Sequence, residues 1–121
     1  MTKPVILICE DEADSREAIS RFLGKRDYQV YSASDGLKAL RLANKLKPRL
    51  ILLDIRMPKL DGIEVARKIR ASGIKAKIIF ITAFQGQELT KEAVKYDIFD
   101  YIVKPVSCPQ LLASIERALA G

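Results

Sequence analysis

The chain has 121 residues, 49% of them hydrophobic, and is therefore long enough for one sizeable core and too short for two ordinary domains. Its apolar runs stay far below the roughly 18 residues of a membrane span, and its first residues lack a secretory signal, so we expect one cytoplasmic domain over residues 1–121. The net charge is +6, and His is absent. Two cysteines, Cys9 and Cys108, have neither metal-ligand spacing nor disulfide density and are interpreted as reduced packing residues.

The first third of the chain alternates between strand and helix patterns. Val5–Cys9 is a continuous apolar run, which is typical of a strand buried on both faces of a sheet. A helix follows, for which Asp14 and Glu17 form a predicted capping box and Gly24 marks the end. Tyr28–Tyr31 is rich in aromatic and β-branched residues and predicts a second strand nearer an edge.

The alternation continues through the middle of the chain. A second helix is predicted over Asp35–Leu46, with Pro48 as its stop. Leu50–Leu53 is a third strand, buried on both faces. A third helix follows, which Asp61 can cap and Gly73 can end.

Two further strands and two further helices complete the pattern. Ile78–Ile81 is an apolar strand, and a weaker fourth helix is predicted over about residues 87–96. Tyr101–Val103 is the fifth strand, and the fifth helix runs over Pro109–Ala120, with Pro as a good first-turn residue. Five such alternations predict an α/β fold in which a doubly wound parallel sheet carries helices on both faces.

Polar side chains follow four of these strands. Glu10 and Asp11 come after the first strand, Asp54 ends the third, Thr82 ends the fourth and Lys104 follows the fifth. In an open parallel sheet, ligands bind beyond the carboxyl ends of the strands, so these side chains are candidates for one site. Each taken singly also fits an ordinary role, as a cap, a solvated cation or half of an ion pair.

The charges of this group favour a metal. Glu10, Asp11 and Asp54 supply −3 and Lys104 supplies +1, so the remaining −2 matches one divalent cation. Carboxylates held close together repel and raise one another's pKa unless a cation intervenes. Oxygen ligands without His or a thiolate pair favour Mg²⁺ or Mn²⁺ over Zn²⁺.

Four motifs in this order resemble the receiver domains of two-component response regulators, over essentially the whole chain. They are Glu10–Glu12, Leu53–Pro58 continuing to Asp61 and Gly62, Thr82–Ala83, and Asp100–Pro105. The resemblance implies a five-stranded (βα)5 flavodoxin-like fold with strand order 2-1-3-4-5. It also implies a signalling switch that catalyses its own phosphorylation and dephosphorylation and is not an enzyme in the turnover sense.

The resemblance assigns a role to each site residue. Asp54 is the phosphoacceptor, and the donor is a phosphohistidine on a sensor histidine kinase or phosphotransfer protein. Lys104 and Thr82 bind the phosphoryl oxygens. The Mg²⁺ ligands are Glu10, Asp11, Asp54 and the backbone carbonyl of Arg56. Arg56 and Phe84 lie beside the path of attacking water, and their bulk predicts slow self-hydrolysis.

The resemblance also implies a switch. Phosphorylation would draw Thr82 toward the phosphoryl group, and Tyr101 would swing inward behind it. We expect the face of the fourth helix, fifth strand and fifth helix to dock a downstream protein, because the fifth helix carries only Glu116 and Arg117 as charges. Ordinary packing of small residues remains an alternative for that face, and a phosphorylation-dependent homodimer also stays open.

Three features depart from the family pattern. Glu10 stands where Asp is more usual, which lengthens the side chain by one methylene. Asp97 stands where many members have Gly, although Asp also tolerates the left-handed conformation. The basic charge is atypical and falls in two runs without an acid: Lys38, Arg41, Lys45, Lys47 and Arg49, then Arg67, Lys68, Arg70, Lys75 and Lys77.

Several alternatives accompany this interpretation. The basic runs could meet nucleic acid or an acidic protein partner, but a solvated helix face is favoured, since no aromatic residues interleave as direct nucleic-acid binding requires. A phosphohydrolase with an aspartyl nucleophile usually needs an Asp where Arg56 stands. A receiver-shaped module that never gains phosphate is a third class. No output domain is recognised within the 121 residues, which leaves a stand-alone regulator, a relay intermediate and a fragment of a larger regulator open.

Overall fold

The structure is a computed structural model that describes residues 3–83, 91 and 94–121. The strands are β1 (Val5–Cys9), β2 (Gln29–Ala33), β3 (Leu50–Asp54), β4 (Lys77–Thr82) and β5 (Asp100–Val103). The helices that lie wholly within the described residues are α1 (Ala13–Gly24), α2 (Gly36–Leu46), α3 (Gly62–Ala71) and the C-terminal helix α4 (Cys108–Ala120). The strands form one parallel sheet in the order β2-β1-β3-β4-β5, which confirms the predicted topology.

Helices cover both faces of this sheet. On β1, Leu7 and Cys9 face the core beneath α2 and α3, whereas Ile6 and Ile8 face the core beneath α1 and α4. This alternation follows from the two-residue period of a strand, and it explains why the inner strands read as continuous apolar runs. The doubly wound α/β prediction is confirmed. Within the described ranges, no helix is long and apolar enough to cross a membrane.

The helix starts partly match the predictions. The Asp35 side chain accepts from Lys38 N at 2.8 Å, and the Asp61 side chain accepts from Glu64 N at 2.9 Å, as expected for N-caps. The capping box predicted at Asp14 is wrong, because α1 begins earlier and its N-cap is Glu12, whose side chain makes no capping hydrogen bond. The first turn is already formed where Arg16 N donates to Glu12 O, so Asp14 lies inside the helix.

Three residues at or just after helix ends have left-handed backbone conformations. Lys47, the C-cap of α2, has φ 47° and precedes Pro48, while Gly73 after α3 has φ 81°. Asp97 has φ 56°, so the departure from Gly at that position leaves the turn intact. The fourth predicted helix, over about residues 87–96, falls largely outside the described residues.

Side-chain hydrogen bonds fix β5 at the edge of the sheet. Asp100 Oδ2 accepts from Ser114 Oγ at 2.7 Å and from Arg117 Nη2 at 3.3 Å, which joins β5 to α4. The two cysteines stay free thiols: Cys9 is buried, and burial raises its thiol pKa, while Cys108 is partly buried. Their interpretation as packing residues fits these positions.

Candidate functional site

The sheet brings the predicted polar residues to one edge. Glu10 and Asp11 follow β1, Asp54 ends β3 beside it, and Thr82 ends β4 on the other side of β3. Lys104 follows β5, where its backbone N–H donates to Thr82 O at 2.8 Å. All five therefore lie at the carboxyl ends of adjacent strands, where parallel sheets bind ligands.

A lysine joins two of the carboxylates. Lys104 Nζ donates to Asp54 Oδ2 at 2.7 Å and to Glu10 Oε1 at 2.8 Å. The Asp54 and Glu10 side chains are only 5% and 3% exposed, so both acids are buried and share one cation. Asp54 Oδ1 accepts from the Arg56 backbone N–H at 3.1 Å. Both oxygens of Asp54 are thus oriented by a donor.

The two buried carboxyl groups have opposite pKa shifts. For Asp54, burial and a hydrogen bond with Glu10 raise the pKa to about 6, although Lys104 opposes this. For Glu10, burial favours the neutral form, but hydrogen bonds with Asp54 and Lys104 outweigh it and lower the pKa to about 2. Without a metal, burial therefore favours the neutral form of Asp54, while the hydrogen bonds to Glu10 favour the charged form of Glu10.

The donor set fits a hard divalent cation. Carboxylate oxygens of Glu10, Asp11 and Asp54 all lie within 4.8 Å of one another. Asp11 is exposed, which leaves one side of the cluster accessible, and an open depression of about 580 Å³ lies beside it. Carboxylates with an open side suit Mg²⁺, which keeps several waters and takes few protein ligands.

Two glycines hold the loop between β3 and α3 against the rest of the site. A Cβ on Gly62 would lie 2.3 Å from Asp54 O, and Gly62 N donates to Ile55 O at 2.7 Å. A Cβ on Gly36 would lie 1.8 Å from Leu60 O, and Gly36 N donates to Pro58 O at 3.2 Å. Only glycine permits these approaches, so both helix starts position the loop that carries Arg56.

The role of Gly36 was missed by the sequence analysis. Its signal was the Asp35-Gly36 pair at the start of α2, since a glycine directly after an N-cap can mark close backbone contact. The Asp35 carboxylate adds an ion pair to Lys59 in the same loop at 3.6 Å. The start of α2 is therefore part of the support of the site.

Replacing Gly36 with Ala is expected to destabilise the protein by about 1–3 kcal/mol, because the added methyl group meets backbone at Leu60 and the loop must shift. Urea denaturation of wild type and variant measures this loss. Gly24→Ala is the matched control, since nothing lies within 4 Å of a Cβ there and alanine favours a helix. Equal stability of the two variants would contradict the close contact.

Comparison with known proteins identifies the family. Residues 6–116 match the response regulator receiver domain, and the chain belongs to this family. It is 40% identical over 116 residues to the positive alginate biosynthesis regulatory protein of Pseudomonas aeruginosa, covering 93% of this chain and 46% of that protein. It is 33% identical over 114 residues to the chemotaxis protein CheY of Listeria monocytogenes, covering 93% of this chain and 96% of that protein.

A solved structure agrees with this assignment. The N-terminal domain of an uncharacterized protein from Wolinella succinogenes superposes with a TM-score of 0.91 at 34% identity, covering 97% of this chain and 94% of that one. The chain spans between 25% and 56% of the length of several curated relatives. This chain is thus a receiver domain of the two-component type, and its acidic cluster is compatible with the Mg²⁺ that receiver domains bind.

Proposed function

We propose that Asp54 accepts a phosphoryl group from a phosphohistidine on a sensor histidine kinase or phosphotransfer protein. The observation that carries this is the orientation of Asp54, whose two oxygens accept from Lys104 Nζ at 2.7 Å and from Arg56 N at 3.1 Å within an acidic cluster. The P–N bond of the donor breaks, a P–O bond to Asp54 forms, and the imidazole leaves with the electron pair. None of the 121 residues is a His, so the donor phosphohistidine would lie outside this domain.

The surrounding residues take complementary roles in this proposal. Bound Mg²⁺ would offset the charge between the carboxylate and the incoming phosphoryl group. Its ligands would be Glu10, Asp11, Asp54 and the backbone carbonyl of Arg56. Lys104 Nζ already donates to Asp54 and Glu10, and the remaining N–H of its ammonium group would donate to one phosphoryl oxygen. Thr82 is buried at the end of β4 and would bind another oxygen.

Incubation with Mg²⁺ and acetyl phosphate tests this proposal. Intact mass should show one added phosphoryl group on wild type and none on Asp54→Asn, because the amide is not a nucleophile toward phosphorus. EDTA should abolish the gain. A phosphoryl group gained by Asp54→Asn would show that another residue is the acceptor. No gain on wild type that binds Mg²⁺ would favour the receiver-shaped module that is never phosphorylated.

A switch at the β5 edge is part of the same proposal. Thr82 is fully buried, whereas Tyr101 on the neighbouring strand is 44% exposed, so the aromatic ring lies at the surface, which is the outward position from which the proposed switch would start. Val94, Phe99 and Tyr101 are exposed apolar or aromatic side chains close in sequence, and they support docking of a downstream protein on this side. Ala113 and Ala120 of α4 are exposed, so the small-residue alternative stays compatible with α4.

The phosphoryl group should be long-lived. Arg56 is exposed two residues after the acceptor and would crowd the approach of water, while Phe84, the second residue predicted to do so, lies outside the described residues. We expect the phosphorylated protein to have a half-life longer than seconds in Mg²⁺. Intact mass, measured over time after acetyl phosphate is removed, gives this half-life. Decay within seconds would contradict it, and Arg56→Ala should shorten the lifetime.

The biological setting is proposed at a coarser level. We place the domain in the cytoplasm, as one domain over residues 1–121, with a kinase or phosphotransfer partner on one side and a protein target on the other. Stand-alone regulator, relay intermediate and part of a larger regulator are all compatible with the relatives, which differ in how much of their length the chain spans. A homodimer that forms on phosphorylation is also part of this proposal.

A further inference from the structure

A second, basic site lies at the end of the sheet opposite the acidic cluster. A cleft of about 530 Å³ opens there between the ends of α2, α3 and α4 and the starts of β3 and β4. We call it the basal cleft. Its cationic lining residues are Lys47, Arg49, Lys75 and Lys77. No Asp or Glu is among its described lining residues, so all charged side chains that line the cleft are cationic.

The backbone holds these cations around the cleft. Lys47 is the C-cap of α2, and Lys77 is the first residue of β4, where its N–H donates to Arg49 O at 3.0 Å. Arg49, directly before β3, and Lys77, the first residue of β4, are therefore neighbours across the two strands. Lys75 lies in the connection just before β4. The arrangement follows from the fold and not from acidic partners.

Two of the four charges already have contacts, and two do not. Arg49 Nη2 donates to Leu119 O at 3.2 Å, and Lys77 Nζ lies 5.5 Å from the centre of the Phe99 ring. Lys47 and Lys75 are exposed, and across the described ranges neither takes part in an ion pair. These two ammonium groups are the ones available to a ligand.

The chemistry of the cleft discriminates between anions. In proteins of this architecture, phosphate groups bind at helix N-termini, where free N–H groups point outward. Here the helices end instead, with their carbonyl groups and the negative end of the helix dipole toward the cleft. These helix ends disfavour every anion, so the lysine ammonium groups must supply the attraction. The apolar portion, which contains Pro48, Ile74 and Leu119, offers contacts to a peptide side chain that a phosphate ion lacks, and it therefore favours a peptide.

We propose that the basal cleft binds an acidic peptide segment of a partner protein. Glu or Asp side chains of the segment would pair with Lys47 and Lys75, and an aliphatic side chain would lie on Ile74 and Leu119. The described lining residues include no aromatic ring on which a base could stack, which favours a peptide over single-stranded nucleic acid. This site goes beyond the proposed phosphoryl transfer, and it accounts for part of the basic charge.

Fluorescence anisotropy with a labelled peptide of alternating Glu and Leu tests this site. Wild type should bind the peptide, more weakly as salt rises, and should not bind the Gln–Leu version. Lys47→Glu with Lys75→Glu should weaken binding at least about tenfold, because two attractions become repulsions. Lys25→Glu with Arg41→Glu is the control, since it changes the charge equally outside the cleft and also alters a helix C-cap.

Three results would overturn the proposal. Equal weakening of peptide binding in both double variants would show that binding depends on net charge alone and not on the cleft. The cleft would be assigned to phosphates if tripolyphosphate or oligo(dT) binds and the substitutions of Lys47 and Lys75 weaken that binding, while peptide binding is unchanged by them. Self-association of wild type that the cleft variant loses, measured by light scattering without peptide, would assign it to a second copy. A cooperative urea denaturation curve serves as the folding check in every variant.

Discussion

Lys104→Met is expected to lower the stability of the metal-free protein by about 2–3 kcal/mol at pH 7. The variant removes the ammonium group that contacts both Asp54 and Glu10, so two buried carboxyl groups lose their shared cation. Protonation of Asp54, whose pKa is already raised, limits the loss. Mg²⁺ should restore most of the stability, because the divalent cation then binds the same carboxylates in place of the lost ammonium group.

Urea denaturation in EDTA and in Mg²⁺ measures both halves of this prediction. Lys45→Met, at an exposed position of α2, is the control for removing a lysine charge and should change stability little in either condition. The gain from Mg²⁺ should be larger for Lys104→Met than for wild type. Equal losses with and without Mg²⁺ would show that Lys104 acts through packing of its side chain and not through its charge.

Asp54→Asn is expected to be more stable than wild type in EDTA at pH 7, by roughly 2–3 kcal/mol. The folded-state pKa of about 6 lies above the ordinary 3.8, so the folded protein binds the proton more tightly than the unfolded chain. That contribution is complete below about pH 4 and is lost as the pH rises through 6, at roughly 1.4 kcal/mol for each pKa unit. The amide stays neutral throughout, so the advantage of the variant should grow over this window.

Denaturation midpoints between pH 4 and 8 in EDTA test the sign of this effect. Glu10 acts oppositely in wild type, because its folded-state pKa of about 2 lies below the ordinary 4.5, and it therefore contributes stability that is lost as pH falls. Mg²⁺ should reverse the order of the two proteins at pH 7, since the variant lacks one carboxylate ligand. A constant difference across the pH range would show that Asp54 titrates normally in the folded state.

The sequence predicted the sheet well because a strand that is buried on both faces is apolar at every position. Leu50–Leu53 and Ile78–Ile81 are apolar at every position, and each is extended by the structure at its ends, to Asp54 and to Lys77 and Thr82. The strand ends then indicated the candidate site, since parallel strands place their carboxyl ends together. The start of α1 was predicted wrongly, because Asp14 and Glu17 have capping spacing but the preceding backbone already enters the helix at Glu12.

Side-chain contacts across the fold were beyond the sequence. The sequence placed Lys104 in the same candidate site as Glu10 and Asp54 but not its direct bond to Glu10, since that contact spans 94 residues and depends on how far each side chain reaches. The same holds for Gly36, whose nearest atoms belong to the loop before α3. The basic runs were readable as charge, but only the strand register places Arg49 beside Lys77 at one end of the sheet.

The contact between Asp100 and α4 limits how Tyr101 can move. Asp100 is held by Ser114 Oγ at 2.7 Å, and its own Oδ1 accepts from the Tyr101 N–H at 2.8 Å, so the backbone directly before the ring is anchored. The inward movement proposed for Tyr101 would then be a rotation about its χ1 bond, with the strand kept in register. Such a rotamer change needs no break in the sheet, and it can occur on the timescale of side-chain motion.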